Sequence, residues 1–243
     1  MQHPLFPGLL LGLCALFCIL LVLHGSRRAL ERTAWSWSGQ LRVYRTTLVM
    51  LVVWVILLGV LALRGFFTEW LKIPPRIGLA VALPLPVVLW IAFSKKGSEL
   101  LRLVPAHWFI YLQSFRIVVE IALWLAVRDG ALPVQLSFEG RNFDILTGLC
   151  ALPVGYYCYV KKSARFGVAL LYNIGGLLLL VNVLVIAVLS MPTPLRVFHN
   201  EPANTLLAYF PFIYLPGVLV PLAYTLHIFS LRQWALARPV RPM

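Results

Sequence analysis

Seven long apolar stretches, separated by connections that are basic on every second one, restrict this chain to a helical bundle in a membrane. Unsatisfied backbone groups are costly in hydrocarbon, which leaves helices or closed barrels. Uninterrupted apolar runs without ten-residue alternation select helices. At about 1.5 Å per residue, roughly 20 residues cross a 30 Å core. The candidate spans are Leu5 to His24, Thr46 to Leu63, Ile77 to Phe93, Ala106 to Val127, Ile145 to Val160, Phe166 to Ser190 and Leu206 to Ser230. With 61% hydrophobic and 12% charged residues in 243, little remains for a soluble module. The expectation is an all-α polytopic membrane protein, one seven-helix transmembrane domain over residues 1–243.

The basic residues set the orientation. One side of the bundle would carry fourteen: Arg27, Arg28, Arg32, Arg42, Arg45, Lys95, Lys96, Arg102, Lys161, Lys162, Arg165, Arg232, Arg238 and Arg241. The other would carry six, namely Arg64, Lys72, Arg76, Arg128, Arg141 and Arg196. The positive-inside rule then puts the N-terminus outside and the C-terminus in the cytoplasm. Most of the acidic residues fall outside, so the net charge of +13 is almost all cytoplasmic. In that position it anchors helices and meets anionic lipid headgroups, and nucleic acid is not an expected partner.

The first apolar run lacks a basic leader and a small-residue cleavage site, so it reads as a retained helix instead of a signal peptide. The connection RRALERTAWSWSGQLRVYR, with Trp35 and Trp37, suits a tether in the headgroup layer. Cys14, Cys18, Cys150 and Cys158 all lie in spans, where cysteine packs as a small residue. His24, His107 and His227 fall at cytoplasmic span ends and share a depth, compatible with a metal or haem site and equally with chance interfacial placement.

The fourth span, HWFIYLQSFRIVVEIALWLAV, holds the most unusual chemistry. Gln113, Arg116 and Glu120 follow three-and-four spacing and fall within about 60° on a helical wheel, with Phe109 and Trp124 on the same stripe. A charge at mid-bilayer costs about 2.5 to 3.5 kcal/mol, so this face should turn into the bundle. Two accounts stay open: Arg116 and Glu120 pair with each other and fix packing, or they form an internal site that Gln113 orients.

Pro84 and Pro86 in the third span, Pro153 in the fifth, and Pro211, Pro216 and Pro221 in the seventh each remove a backbone donor and predict kinks. Short or interrupted helices often line transporter sites. On the outer side, VRDGALPVQLSFEGRNFD brings Glu139, Arg141, Asn142 and Asp144 to the head of the fifth span, and MPTPLRVFHNEPANT supplies His199 and Glu201. These six residues are the candidate entrance, with Arg141 expected to bridge Glu139 and Asp144. No ligand spacing matches a metal motif, and no cofactor or catalytic residue is assigned.

Several classes are weakened by what is missing. No lysine lies inside a span to form a retinal Schiff base. HxxxH, HExxH, GxS and the phosphate-binding glycine patterns are also absent.

FEGRNFD before the fifth span and LPGVLVPLAYTLHIFSLRQ near the end resemble uncharacterised multi-pass membrane proteins of bacteria. The resemblance implies a bacterial inner membrane and brings no activity. The leading expectation is binding and transport, or sensing, of a small polar or anionic solute. The alternatives are a non-catalytic scaffold or assembly factor, and a membrane enzyme acting on lipid or glycan at the outer face through His199 with Asp144 or Glu139.

Overall fold

The computed structural model describes residues 4–161 and 166–237. Lys162, Arg165, Arg238 and Arg241 of the charge argument lie outside the described residues. Within them the chain is helical, with no strand. α1 (Leu5–Glu31) and α2 (Trp37–Leu63) are 27 residues each. Ser36 caps α2 by accepting the Gly39 amide at 3.3 Å. α3 (Ile77–Ala82) and α4 (Pro84–Phe93) meet at Leu83, and α5 (Lys95–Leu103) turns away by 79° after Ser94, whose hydroxyl accepts the Gly97 amide at 3.0 Å. α6 (Ala106–Tyr111) and α7 (Phe115–Arg128) run on through a 3₁₀ turn at Leu112–Ser114. α8 (Ile145–Gly155) ends in a five-residue π turn, Tyr156–Val160. α9 (Phe166–Leu189) follows, and α10 (Val220–Ala237) is led by a π turn at Leu215–Leu219.

Among the described residues, five segments are long and apolar enough to cross a membrane, or six if the bent pair counts as one. Seven of that length were expected. The fifth candidate is a shorter apolar helix, Ile145–Val160. The seventh begins at Leu215, not Leu206, and continues to Ala237. Residues before it take a 3₁₀ turn at Leu206–Ala208 and an extended Tyr209, φ −100° and ψ 154°, ahead of Pro211. The extended Tyr209 ends that turn, so the apolar run does not continue as one helix. The Arg-rich tether expected after the first span is mostly helix as well. α1 continues to Glu31, where Arg27 reaches the carboxylate at 3.1 Å, and only Arg32–Ser36 turns.

The bundle is apolar on its exposed surface and polar at its centre. Leu9, Leu16 and Phe17 of α1, Val49, Val53 and Ile56 of α2, and Leu171, Leu178 and Val181 of α9 are all exposed. That much exposed hydrocarbon suits lipid, and the chain is a multi-pass membrane protein. Leu11, Cys14, Ala15 and Cys18 form the buried face of α1, which packs on α7. α2 meets the α10 leader through Gly59, where an added Cβ would lie 3.0 Å from Tyr214 Oη. Pro221 cannot donate to Gly217 one turn earlier. Trp54 Nε1 takes that role, donating to the Gly217 carbonyl at 2.8 Å.

α8 approaches α6 and α7 along Gly148, Ala151 and Gly155. An added Cβ at Gly148 would sit 3.0 Å from the Ile117 backbone nitrogen, and one at Gly155 would overlap the Tyr111 ring. Small residues at three-and-four spacing let helix backbones close on each other where burial from water supplies no drive. The connections also meet in two groups. At one end Arg32 donates to the Leu103 carbonyl, Trp35 to Glu99 and Arg232 to Ser98. At the other Asn200 donates to Gln135, and Arg141 lies over the Phe198 ring.

Candidate functional site

The close α7–α8 contact fixes what happens at mid-bundle. Gln113, Arg116 and Glu120 are 0%, 2% and 1% exposed, so the polar stripe faces inward. Arg116 Nη1 donates to Asp144 Oδ1 at 2.5 Å and approaches the Gly176 carbonyl at 3.4 Å. Glu120 does not take the guanidinium. Its Oε1 accepts instead from Asn142 Nδ2 at 2.6 Å. Gln113 donates to the Ala223 carbonyl on α10 at 3.1 Å, so it ties helices, and its Oε1 accepts from neither Arg116 nor any other donor among the described residues.

The segment FEGRNFD, residues 138–144, turns at 138–141 and runs without regular structure through Asn142 and Phe143 to the head of α8. Asn142 and Asp144 point inward and are buried, whereas Glu139, Arg141 and Phe143 are exposed. Asn142 also donates to the Leu136 carbonyl at 3.1 Å and accepts the Asp144 amide at 3.1 Å, which sets the angle at which Asp144 enters. Gly140 permits this path, since an added Cβ would lie 2.5 Å from the Gln135 Cα. Thr147 Oγ1 supports Asp144 at 3.4 Å.

The six residues expected at an entrance therefore divide. Asn142 and Asp144 join the internal stripe. Glu139 accepts from Trp124 Nε1 at 2.8 Å, and Arg141 stacks on Phe198 with its Cζ 5.2 Å from the ring centre, so Arg141 bridges no carboxylates. Glu201 pairs with Arg196 at 2.9 Å on the surface, and His199 is exposed. Inward-facing Asp144 and Trp124-bound Glu139 are not assembled with His199. The loops do meet, through Asn200 and Gln135 at 2.8 Å, and Gln135 donates onward to Ser190 at 2.9 Å.

A second buried group adjoins the first. His227 is fully buried, its Nδ1 2.9 Å from Asn173 Oδ1, and Asn173 Nδ2 reaches Ser230 Oγ at 3.0 Å. Gly176 joins the two groups: its carbonyl faces Arg116, and an added Cβ would lie 2.5 Å from His227 Cε1. His24 is exposed and His107 stands edge-on to Tyr111 at 5.5 Å, so the three histidines do not converge. Among the described residues no group of three or more His, Cys, Asp or Glu side chains is placed to hold a metal. Asn173, Thr147 and Gln135 were not singled out from sequence, although Asn173, like Asn182, is an amide within a mostly apolar span, a signal of the kind that marks Arg116.

Arg116, Glu120 and Asp144 line a cavity of about 280 Å³ bounded by α3, α7, α9 and the α10 leader. Three side-chain atoms of these residues, Arg116 Nε and Nη2 and Glu120 Oε2, are buried without a hydrogen-bond partner. Such groups are costly to leave unpaired. Residues 74–235 match a family described as a domain of unknown function, DUF8737. The chain belongs to that family. The matched stretch contains every residue of the buried cluster and leaves α1 and α2 outside it. No curated protein and no solved structure matches the chain.

Proposed function

We propose that this member of DUF8737 binds a small polar or anionic solute at the Arg116–Asp144–Glu120–Asn142 cluster and transports or senses it. The observation that carries the reading is the cavity wall itself. Arg116 and Glu120, both almost fully buried, line one cavity, and each keeps buried polar atoms without a hydrogen-bond partner. A purely structural ion pair has no need of a cavity at its face. The charge asymmetry of the connections supports seven crossings of a bacterial inner membrane as one domain, with the N-terminus outside and anionic lipids at the cytoplasmic face. In this orientation the cavity rim lies on the outer side, at residues 73–75 and Leu195.

A scaffold role is the second reading. It is favoured by the bonds from Arg116 to Asp144 and from Asn142 to Glu120, which tie α7 to the α8 leader as a packing device would. Val119 lines the cavity and separates the readings. In a background without the native cysteines, Val119→Cys should react with a small thiosulfonate reagent if solute reaches the cluster. Complete protection in the folded protein would leave the scaffold.

A further inference from the structure

Far from the cavity, one end of the bundle carries a helix set across the others. α5 leaves the axis of the α3–α4 segment by 79°, so where that segment crosses the membrane α5 lies close to its plane. The bend is built into the sequence: an added Cβ at Gly97 would overlap the Ile91 carbonyl, and Ser94 Oγ donates to the same carbonyl at 3.2 Å. The far end is held as well. Gln233 of α10 donates to the Leu101 and Val104 carbonyls at 2.6 Å each, and Arg32 donates to the Leu103 carbonyl at 3.1 Å, satisfying acceptors that a helix C-terminus leaves open.

The two faces of α5 differ sharply. Gly97 and Leu101 are buried against the bundle, whereas Lys95, Lys96, Glu99 and Arg102 are exposed. Glu99 accepts from Trp35 Nε1 at 2.9 Å, and Lys96 Nζ stands 5.6 Å from the centre of the same Trp35 ring. Among the described residues none of the three cations pairs with a carboxylate. Aromatic rings fix their depth. Trp90 and Phe93, 72% and 65% exposed, stand just ahead of Lys95 at the end of α4. Exposed aromatics of this kind settle at the level of the lipid headgroups, which places Lys95 and Lys96 among them.

A cationic face held rigidly at that depth fits anions fixed in the same layer. We infer that α5 is an in-plane helix whose Lys95, Lys96 and Arg102 hold the phosphates of anionic phospholipids. In the orientation proposed above these lipids belong to the cytoplasmic leaflet. The site is separate from the cavity, and its lipid contacts stand whether or not a solute binds there.

The test uses the full chain in phosphatidylcholine vesicles with a trace of spin-labelled phosphatidylglycerol or spin-labelled phosphatidylcholine, whose spectra separate protein-bound from free lipid. The anionic label should associate about fivefold more strongly, the scale of one Lys or Arg contact at a lipid surface. In 1 M salt, where the Debye length is about 3 Å, the preference should largely vanish. Lys95→Gln, Lys96→Gln and Arg102→Gln together should bring it below about twofold. Arg64→Gln, Lys72→Gln and Arg128→Gln remove the same charge from exposed positions at the opposite end and should leave most of it. A wild-type ratio in the α5 variant, or an equal loss in the other, overturns the assignment to α5. No preference in the wild-type protein removes the lipid, leaving the face to a soluble acidic partner, and does not touch the solute reading, which Val119→Cys tests separately.

Discussion

Arg116 passes over Glu120, one turn away on its own helical face, and pairs with Asp144, 28 residues along the chain, at 2.5 Å. The choice follows from backbone placement. Gly148 lets α8 close on Ile117, which brings the head of α8 level with the guanidinium, while Asn142 holds Glu120 from the other side. Asp144→Ala should therefore strand a buried cation and cost about 3 to 5 kcal/mol, whereas the double change Arg116→Met with Asp144→Leu should recover most of it. Unfolding in mixed micelles measures both. A double variant as unstable as the single one would show that the two side chains act independently.

Adjacent glycines on α9 make a sharper comparison. An added Cβ at Gly175 meets nothing within 4 Å, but one at Gly176 would lie 2.5 Å from His227 Cε1 and 2.9 Å from Thr147 Cγ2. Gly175→Ala should be neutral or stabilising by about 0.5 to 1 kcal/mol, since a helical glycine loses the most backbone freedom on folding. Gly176→Ala should destabilise by about 1 to 3 kcal/mol through overpacking. The pair of melting curves decides it: equal behaviour would mean that the His227 contact gives way without cost.

Asn173 holds His227 in the same region. Asn173→Leu removes the partner of the buried Nδ1 and of Ser230 Oγ together. A loss of about 1 to 3 kcal/mol is expected, the desolvation penalty of an orphaned polar group. Asn173→Leu with His227→Phe should be milder in the same micelle assay. If the double variant unfolds first, the His227–Asn173 bond is not what stabilises this layer.

The helical class and the inward turn of Gln113, Arg116 and Glu120 were legible because hydrocarbon cannot solvate charge, and a three-and-four pattern puts such residues on one face whatever their partners are. The partners were not legible. Choosing Asp144 over Glu120 depends on how closely α8 approaches α7, a sum of contacts at Gly148, Ala151 and Gly155 that no local pattern encodes. FEGRNFD was read as one polar mouth because its residues were weighed by type. The turns at 138–141 set their directions, sending Asn142 and Asp144 in and Glu139 and Arg141 out. The apolar run at 206–214 read as part of a span because hydropathy alone carries no information about the backbone ahead of Pro211.

Glu201 offers a pH dependence away from the membrane interior. The hydrogen bond from Arg196, with that from the Ala203 amide, holds its carboxyl below the usual carboxylate range. A depressed folded value favours the loop in its ionised form, so the contribution is present above the ordinary carboxylate range and is lost as pH falls through the lowered value. The Ala203 amide resonance in micelles should report that acid transition, and Glu201→Gln should abolish it while leaving the transition of the rest of the chain in place. An unchanged Ala203 transition in the variant would assign it to another group.

The proposed orientation rests on the fourteen-to-six division of Lys and Arg between the two sets of connections. His199 is exposed in the connection with few basic residues, and Ser38 is exposed among the arginines that follow α1. In a background without native cysteines, a membrane-impermeant maleimide added to intact cells should label His199→Cys and spare Ser38→Cys until the membrane is opened. Ser137 would be a poor reporter despite its loop position, because its side chain is fully buried. Labelling of Ser38→Cys alone would invert the protein, turn the cavity rim toward the cytoplasm, and make its ligand one that arrives from the inner side.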